Sequence, residues 1–206
     1  MSSSSHQQPP VDQPNNISMD YFSLGFRVQV IGLGFAFYTA VFLLSHVLSL
    51  ALSQTYRSLL AKEKVFWNLA ATRALFGVQS TIAGLRALTE DSAVSRERIR
   101  GQENWSWFNV LTATGFFVFE NVALHASSVV FRSFDLPLAV HHFFALSGFV
   151  GAVVWDSLGH YLPMVTLLLE MSTPFTCVSW MLLKVYCLCW LYSSYLLVLF
   201  LKCIFF

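Results

Sequence analysis

Two apolar runs lie between Leu136 and Lys184, each long enough to cross a bilayer. Only a few polar residues around Asp156 and His160 separate them. Hydrocarbon offers no water to backbone N–H and C=O groups, so a spanning segment must be a helix of about 20 residues or a strand of a closed barrel. No two-residue alternation persists long enough for a barrel. Similar runs recur along the chain. Of its 206 residues, 56% are hydrophobic and 11% charged, against roughly 25% charged in a soluble domain. The expected fold is all-α: a polytopic membrane helical bundle of about six spans.

Residues 1–20 read as a disordered polar tail, because Ser, Gln, Pro and Asn cannot bury enough apolar surface to order it. The tail lacks a basic stretch followed at once by an apolar one, so it is no cleavable signal peptide. Asn16-Ile17-Ser18 is an N-glycosylation sequon close to the first span. The spans are expected at about Phe26 to Leu52, Val65 to Leu88, Trp105 to Phe131, Leu136 to Trp155 and Tyr161 to Leu183, with a sixth in the apolar run 185–206. The second is interrupted by Asn68, Arg73, Gln79 and Arg86, which should face the bundle interior or a cavity. Its Gly77 and Gly84 should let a neighbouring helix approach closely. The loop before Trp105 carries both signs of charge and reads as solvated.

Net charge is +1, with no basic stripe, so no nucleic acid partner is expected. The four cysteines, Cys177, Cys187, Cys189 and Cys203, all fall in apolar runs and read as buried thiols rather than a zinc or disulfide framework. Basic residues divide almost equally between the two sides, so the positive-inside rule leaves orientation open. No Walker loop, dinucleotide fingerprint, serine-hydrolase elbow or HEXXH motif is present.

Function is therefore sought in the polar groups inside the membrane, which are costly there. His141 and His142 are neighbours on one helix and point about 100° apart. They read as interhelical hydrogen-bonding residues, as a base or nucleophile for lipid chemistry, or as metal ligands; no metal site is assigned. Glu170 shares a helical face with Thr166 and Thr173. Pro174 should free the Glu170 carbonyl and kink the helix. The carboxylate is read either as protonated or paired with Arg73, or as lining a substrate cavity. Glu120, Asn121 and His125 of the third span could complete such a cavity.

Several long passages carry a resemblance: TYRSLLAKEKVFWNLAATRALFGVQST at 55–81, TATGFFVFENVALH at 112–125, HHFFALSGF at 141–149 and LLLEMSTPFTCVSWMLLK at 167–184. The chain resembles the TLC-domain family of membrane proteins, with the likeness covering most of residues 21–184. That resemblance implies a multi-pass protein of the endoplasmic reticulum membrane that cycles to the ER–Golgi intermediate compartment. It implies export of newly made lysosomal enzymes as cargo and a part in lipid homeostasis. The implied partners are membrane lipids, lysosomal enzyme cargo and a second copy of the chain as a candidate.

The family also contains ceramide synthases, in which a histidine pair serves acyl transfer from acyl-CoA. His141 and His142 resemble that pair. The resemblance therefore implies, as an alternative, a lipid acyltransferase using His141, His142 and Glu170, with no bound cofactor and acyl-CoA as co-substrate. Its acceptor would be a glycero- or lysophospholipid, or a ceramide precursor. Those synthases carry two aspartates on the following helix; here Glu170 stands at the first and Thr173 at the second. Residues 185–206 depart from the close relatives and are expected to be a truncated or alternative terminus, leaving an incomplete bundle.

Overall fold

The computed structural model describes Tyr21, residues 23–155 and residues 157–186. The sequon at Asn16, residues 187–206 of the sixth run and the cysteines at 187, 189 and 203 lie outside them. The described residues form helices α1 (Leu24–Leu52), α2 (Gln54–Ser58), α3 (Ala61–Thr89), α4 (Ala93–Arg96), α5 (Asn104–Phe131) and α6 (Leu136–Val154). A last span, Tyr161–Tyr186, follows. It starts as the α-helix Tyr161–Thr166, tightens into a 3-10 helix over Leu167–Ser172, and is α-helical again over 173–186.

Five long helices thus alternate in direction. Four of them, α1, α5, α6 and the last span, are long and apolar enough to cross a membrane. The fifth, α3, has 29 residues, about 43 Å of helix, but carries the polar residues noted above. It begins at Ala61 rather than Val65 because the Glu63 side chain accepts the Leu60 N–H at 3.1 Å and caps an extra turn. α3 packs one face against α1, α5 and the last span. That face takes its polarity: Asn68, Thr72 and Ser80 are buried, while Leu75, Val78 and Ile82 turn outward and Arg86, expected inside, is half exposed and paired with Glu90.

Lipid tails are as apolar as leucine, so burial gives helices little reason to associate; close packing and interhelical hydrogen bonds must do so. Both are present. α1 crosses α5 where Gly34 meets Gly115, and a Cβ on Gly115 would stand 2.5 Å from the Ile31 carbonyl oxygen. α3 approaches the last span at Gly77, against Pro174, and at Gly84, against Leu168. This is the close approach the sequence led one to expect. Among the hydrogen bonds, Tyr38 of α1 donates to Gln79 Oε1 of α3 at 2.6 Å, and Gln79 Nε2 donates to Thr112 Oγ1 of α5 at 3.0 Å. Buried bonds of this kind contribute roughly 0.6–2 kcal/mol each. Around them pack Phe76 and Phe116, whose rings stack 3.7 Å apart.

Polar contacts tie the connecting loops at both ends of the bundle. At the end where α1 begins, the loop after α4 clasps the loop before the last span. Gly159 N–H donates to the Ile99 carbonyl at 2.6 Å, His160 N–H to Gly101 at 3.0 Å, and Gln102 Nε2 to Leu158 at 2.8 Å. Arg27 lies beneath, its guanidinium 4.4 Å above the Trp107 ring and donating to the Val153 carbonyl at 2.8 Å. At the other end, α2 inserts Tyr56 so that its hydroxyl meets His46 Nδ1 at 2.6 Å and accepts from Asn68 Nδ2 at 3.0 Å. Lys184 reaches Glu63 there at 2.6 Å.

Candidate functional site

α6 is N-capped by Asp135, whose carboxylate accepts the Leu138 N–H at 3.1 Å, with Pro137 in the first turn. That start sets where the helix begins, and packing against α5 sets its rotation. The two histidines, about 100° apart on such a helix, consequently serve different surroundings: His142 is buried and His141 is exposed.

His142 faces the core. Its Nε2 lies 3.8 Å from Glu120 Oε1 on α5, a carboxylate with no solvent exposure. Arg73 of α3 donates to the same oxygen through Nε at 2.8 Å and also through Nη2. A guanidinium, a carboxylate and an imidazole from three helices therefore meet inside the bundle. Two buried atoms there, Glu120 Oε2 and His142 Nδ1, have no hydrogen-bond partner among the described residues. Asn121 ties α5 to α6 beside this group by donating to the His142 carbonyl at 3.2 Å.

His141 faces outward, into a cleft of about 440 Å³ between α6 and the last span. Its walls are mostly apolar, with Phe117, Phe144, Phe149 and Leu162 among them. Gly148 leaves room on the α6 side, since nothing lies within 4 Å of where its Cβ would be. The polar groups in the walls include His141 from α6 and Thr166 and Glu170 from the last span. Glu170 Oε2 accepts the Thr173 hydroxyl at 2.7 Å, which orients the carboxylate. A cleft this size with few polar groups suits an apolar ligand carrying one polar group, and a histidine that shares a cleft with a carboxylate can accept and return a proton.

Three expectations need correction. Arg73 hydrogen bonds to Glu120 and not to Glu170, because α3 faces α5 at that level. The Glu170 carbonyl is not free: the helix before Pro174 tightens to 3-10 geometry, so the Thr173 N–H reaches it. Nor do the acidic and histidine residues form a single cavity. His125 is exposed, its Nδ1 against the Asn121 carbonyl at 2.8 Å, and Glu120 is sealed behind His142. Neither lines the cleft that holds His141 and Glu170.

The sequence reading missed the cleft's apolar wall. The signal lay in the spacing His141, Phe144, Ala145 and Gly148, one face of α6. It also gave no role to His160, which is fully buried, receives or gives a hydrogen bond at Ser106 Oγ (2.9 Å) and stands 4.4 Å edge-on to Trp107. Burial first, and then the nearby Arg27 charge, push its pKa down to about 4. Among the described residues, no three of His, Cys, Asp or Glu gather so as to hold a metal ion.

Comparison with known proteins accords with this architecture. Residues 66–206 match the family model of the TLC domain (TRAM_LAG1_CLN8). Protein CLN8 of Homo sapiens is 61% identical over 166 residues, that of Canis lupus familiaris 62% and that of Mus musculus 61%. Each comparison covers 81% of this chain and 58% of the relative, so the chain spans under two thirds of the length of the curated relatives it matches. No solved structure matches it. A multi-pass helical bundle matched over 66–206 leaves one conclusion: the chain belongs to the TLC-domain family.

Proposed function

We propose that this protein acts in the endoplasmic reticulum membrane on lipids, admitting an acyl chain from the bilayer into the cleft between α6 and the last span. The observation that carries this is the cleft itself. It is apolar, and it brings His141 and Glu170 to walls that a lipid's first polar group would meet. A lipid of photoactivatable acyl chain, added to the full protein in vesicles, should crosslink to α6 and the last span. Gly148→Phe, placed where there is open space, should abolish that crosslink; labelling that persists on both helices would sink the reading.

Acyl transfer is favoured by one observation: of the two histidines, the exposed one shares the cleft with a carboxylate. In this reading His141 takes the proton from an acceptor lipid hydroxyl. The oxygen attacks the acyl-CoA thioester carbonyl, the C–S bond breaks, and the proton goes to the departing thiolate. His141→Ala should remove activity without lowering stability, whereas His142→Ala should lower stability through Glu120. The reverse pattern would refute this assignment.

Export of lysosomal enzymes to the intermediate compartment draws on a different surface. The clasped loop presents Arg98 and Arg100 around Ile99, which is 76% exposed. An exposed apolar residue flanked by two cations fits an acidic protein surface. This reading places the loop in the lumen. Arg98→Glu with Arg100→Glu should lose cargo in pull-downs; unchanged recovery would remove the loop from the account.

A further inference from the structure

A second cleft, of about 440 Å³, opens at the end of the bundle where α3 begins. One wall is the first turns of α3, with Lys62, Phe66 and Leu69; the other is the turn from α5 into α6, with Ser128, Ser133 and Asp135. Its floor includes Leu124 and Leu138, so the depth is apolar and the rim polar. None of these residues belongs to the cleft at His141.

The rim carries two opposite charges that do not meet. Lys62 and Asp135 are both exposed, and neither forms an ion pair among the described residues. The Lys62 ammonium stands over the Phe66 ring at 5.9 Å. The Asp135 carboxylate is held in place by the Leu138 N–H. The hydroxyls of Ser127 and Ser128 donate to the Leu124 carbonyl at 2.9 and 2.8 Å, so both oxygens keep lone pairs for an incoming donor.

The geometry points to a binding site for the headgroup of an ethanolamine phospholipid. Such a headgroup is a zwitterion of the complementary polarity. Its phosphate would lie at Lys62, and its primary ammonium, with three N–H donors, at Asp135 and the serine oxygens. The acyl chains account for the apolar floor, which a free zwitterion would leave exposed to water. Choline has no N–H to give the serines, and a glycerol headgroup has no cation for Asp135.

The test is native mass spectrometry of the full chain, titrated in detergent with dioleoyl phosphatidylethanolamine, phosphatidylcholine or phosphatidylglycerol. Exposed ion pairs are worth up to about a fivefold change each, so the ethanolamine lipid should bind about fivefold more tightly than the glycerol lipid, and more tightly than the choline lipid, which keeps the charge but has no N–H donors. Asp135→Ser keeps an N-cap oxygen for α6 and should erase the preference over the glycerol lipid. Lys62→Gln should weaken the ethanolamine and glycerol lipids alike. Both residues are exposed, and melting temperatures equal to the parent's verify the fold; Lys62→Arg should bind as the parent does. Equal binding of the three lipids would overturn the proposal. So would a preference over the glycerol lipid that survives Asp135→Ser, or displacement of the lipid by an equal concentration of soluble phosphoethanolamine.

Discussion

Glu120 is the residue whose loss this fold should tolerate least. Its side chain has no exposure, and that of Arg73 has 19%. Glu120→Gln preserves shape and one carbonyl oxygen but removes the charge. Arginine cannot shed its proton, so the guanidinium would stay charged inside the bundle with no directly bonded counter-charge, only the more distant Glu170 carboxylate. Breaking one side of a buried pair costs about 3–5 kcal/mol, and insertion scales for a charge at mid-membrane give about 2.5–3.5 kcal/mol. For a chain of this length that is a fall of roughly 6–20 °C in melting temperature. Arg73→Met should cost less, because a stranded carboxylate can take up a proton and become neutral. The double variant should be more stable than Glu120→Gln alone, since it leaves no charge behind. Thermal melts of the four proteins in one detergent at neutral pH close the cycle. A Glu120→Gln melt within about 2 °C of the parent, or a double variant as unstable as the two singles added, would refute the pairing.

Other outcomes follow from the same structure. Gly115→Ala forces a Cβ to within 2.5 Å of the Ile31 oxygen and 2.8 Å of the Phe35 nitrogen; overpacking should cost about 1–3 kcal/mol. Gly32→Ala, with nothing within 4 Å, is the control and should melt no lower than the parent. His160 resists protonation down to about 4, whereas in the unfolded chain it titrates near its ordinary value of about 6.5. Between these the unfolded state holds the extra proton, so stability should fall as pH drops from about 6.5 to 4, by about 3 kcal/mol. His160→Leu should flatten that part of the pH–stability curve; an unchanged curve would clear His160. Lys184→Ala removes the half-exposed pair with Glu63 and should lower the melting temperature by no more than about 2–4 °C.

Most of the span boundaries were legible because hydrocarbon allows few alternatives: α5 and α6 begin within a residue of where composition puts them. The partners of the buried charges were not. Arg73 had two carboxylates to choose from in the sequence, Glu120 and Glu170, and hydropathy carries no information on which helices touch. The histidine pair shows the same division. That the two side chains diverge follows from helix geometry alone, but that His142 takes the core and His141 the cleft follows from how α6 is rotated against α5. Pro174 was readable as a disturbance. Its resolution as a run of 3-10 turns was not, because that run answers to the glycines of α3.

The 3-10 stretch works as a vernier between two helices of different pitch. On α3, Gly84 and Gly77 are seven α-helical steps apart, about 700° of rotation and 10.5 Å of rise. Their counterparts, Leu168 and Pro174, are only six residues apart. Wound as α-helix, those six would turn about 600° and climb about 9 Å, leaving Pro174 some 100° out of phase with Gly77. Five 3-10 steps of about 120° and 2 Å, with one α step, give about 700° and 11.5 Å, within a fraction of a turn of the match required. The same overwinding advances everything beyond it by about 100°, a little over a quarter of a revolution. It thereby sets the azimuth at which Trp180 meets Trp67 and Lys184 meets Glu63. A residue deleted from 167–172 would therefore take Pro174 off Gly77 first, and would then put those two pairs at the far end of the span out of phase together.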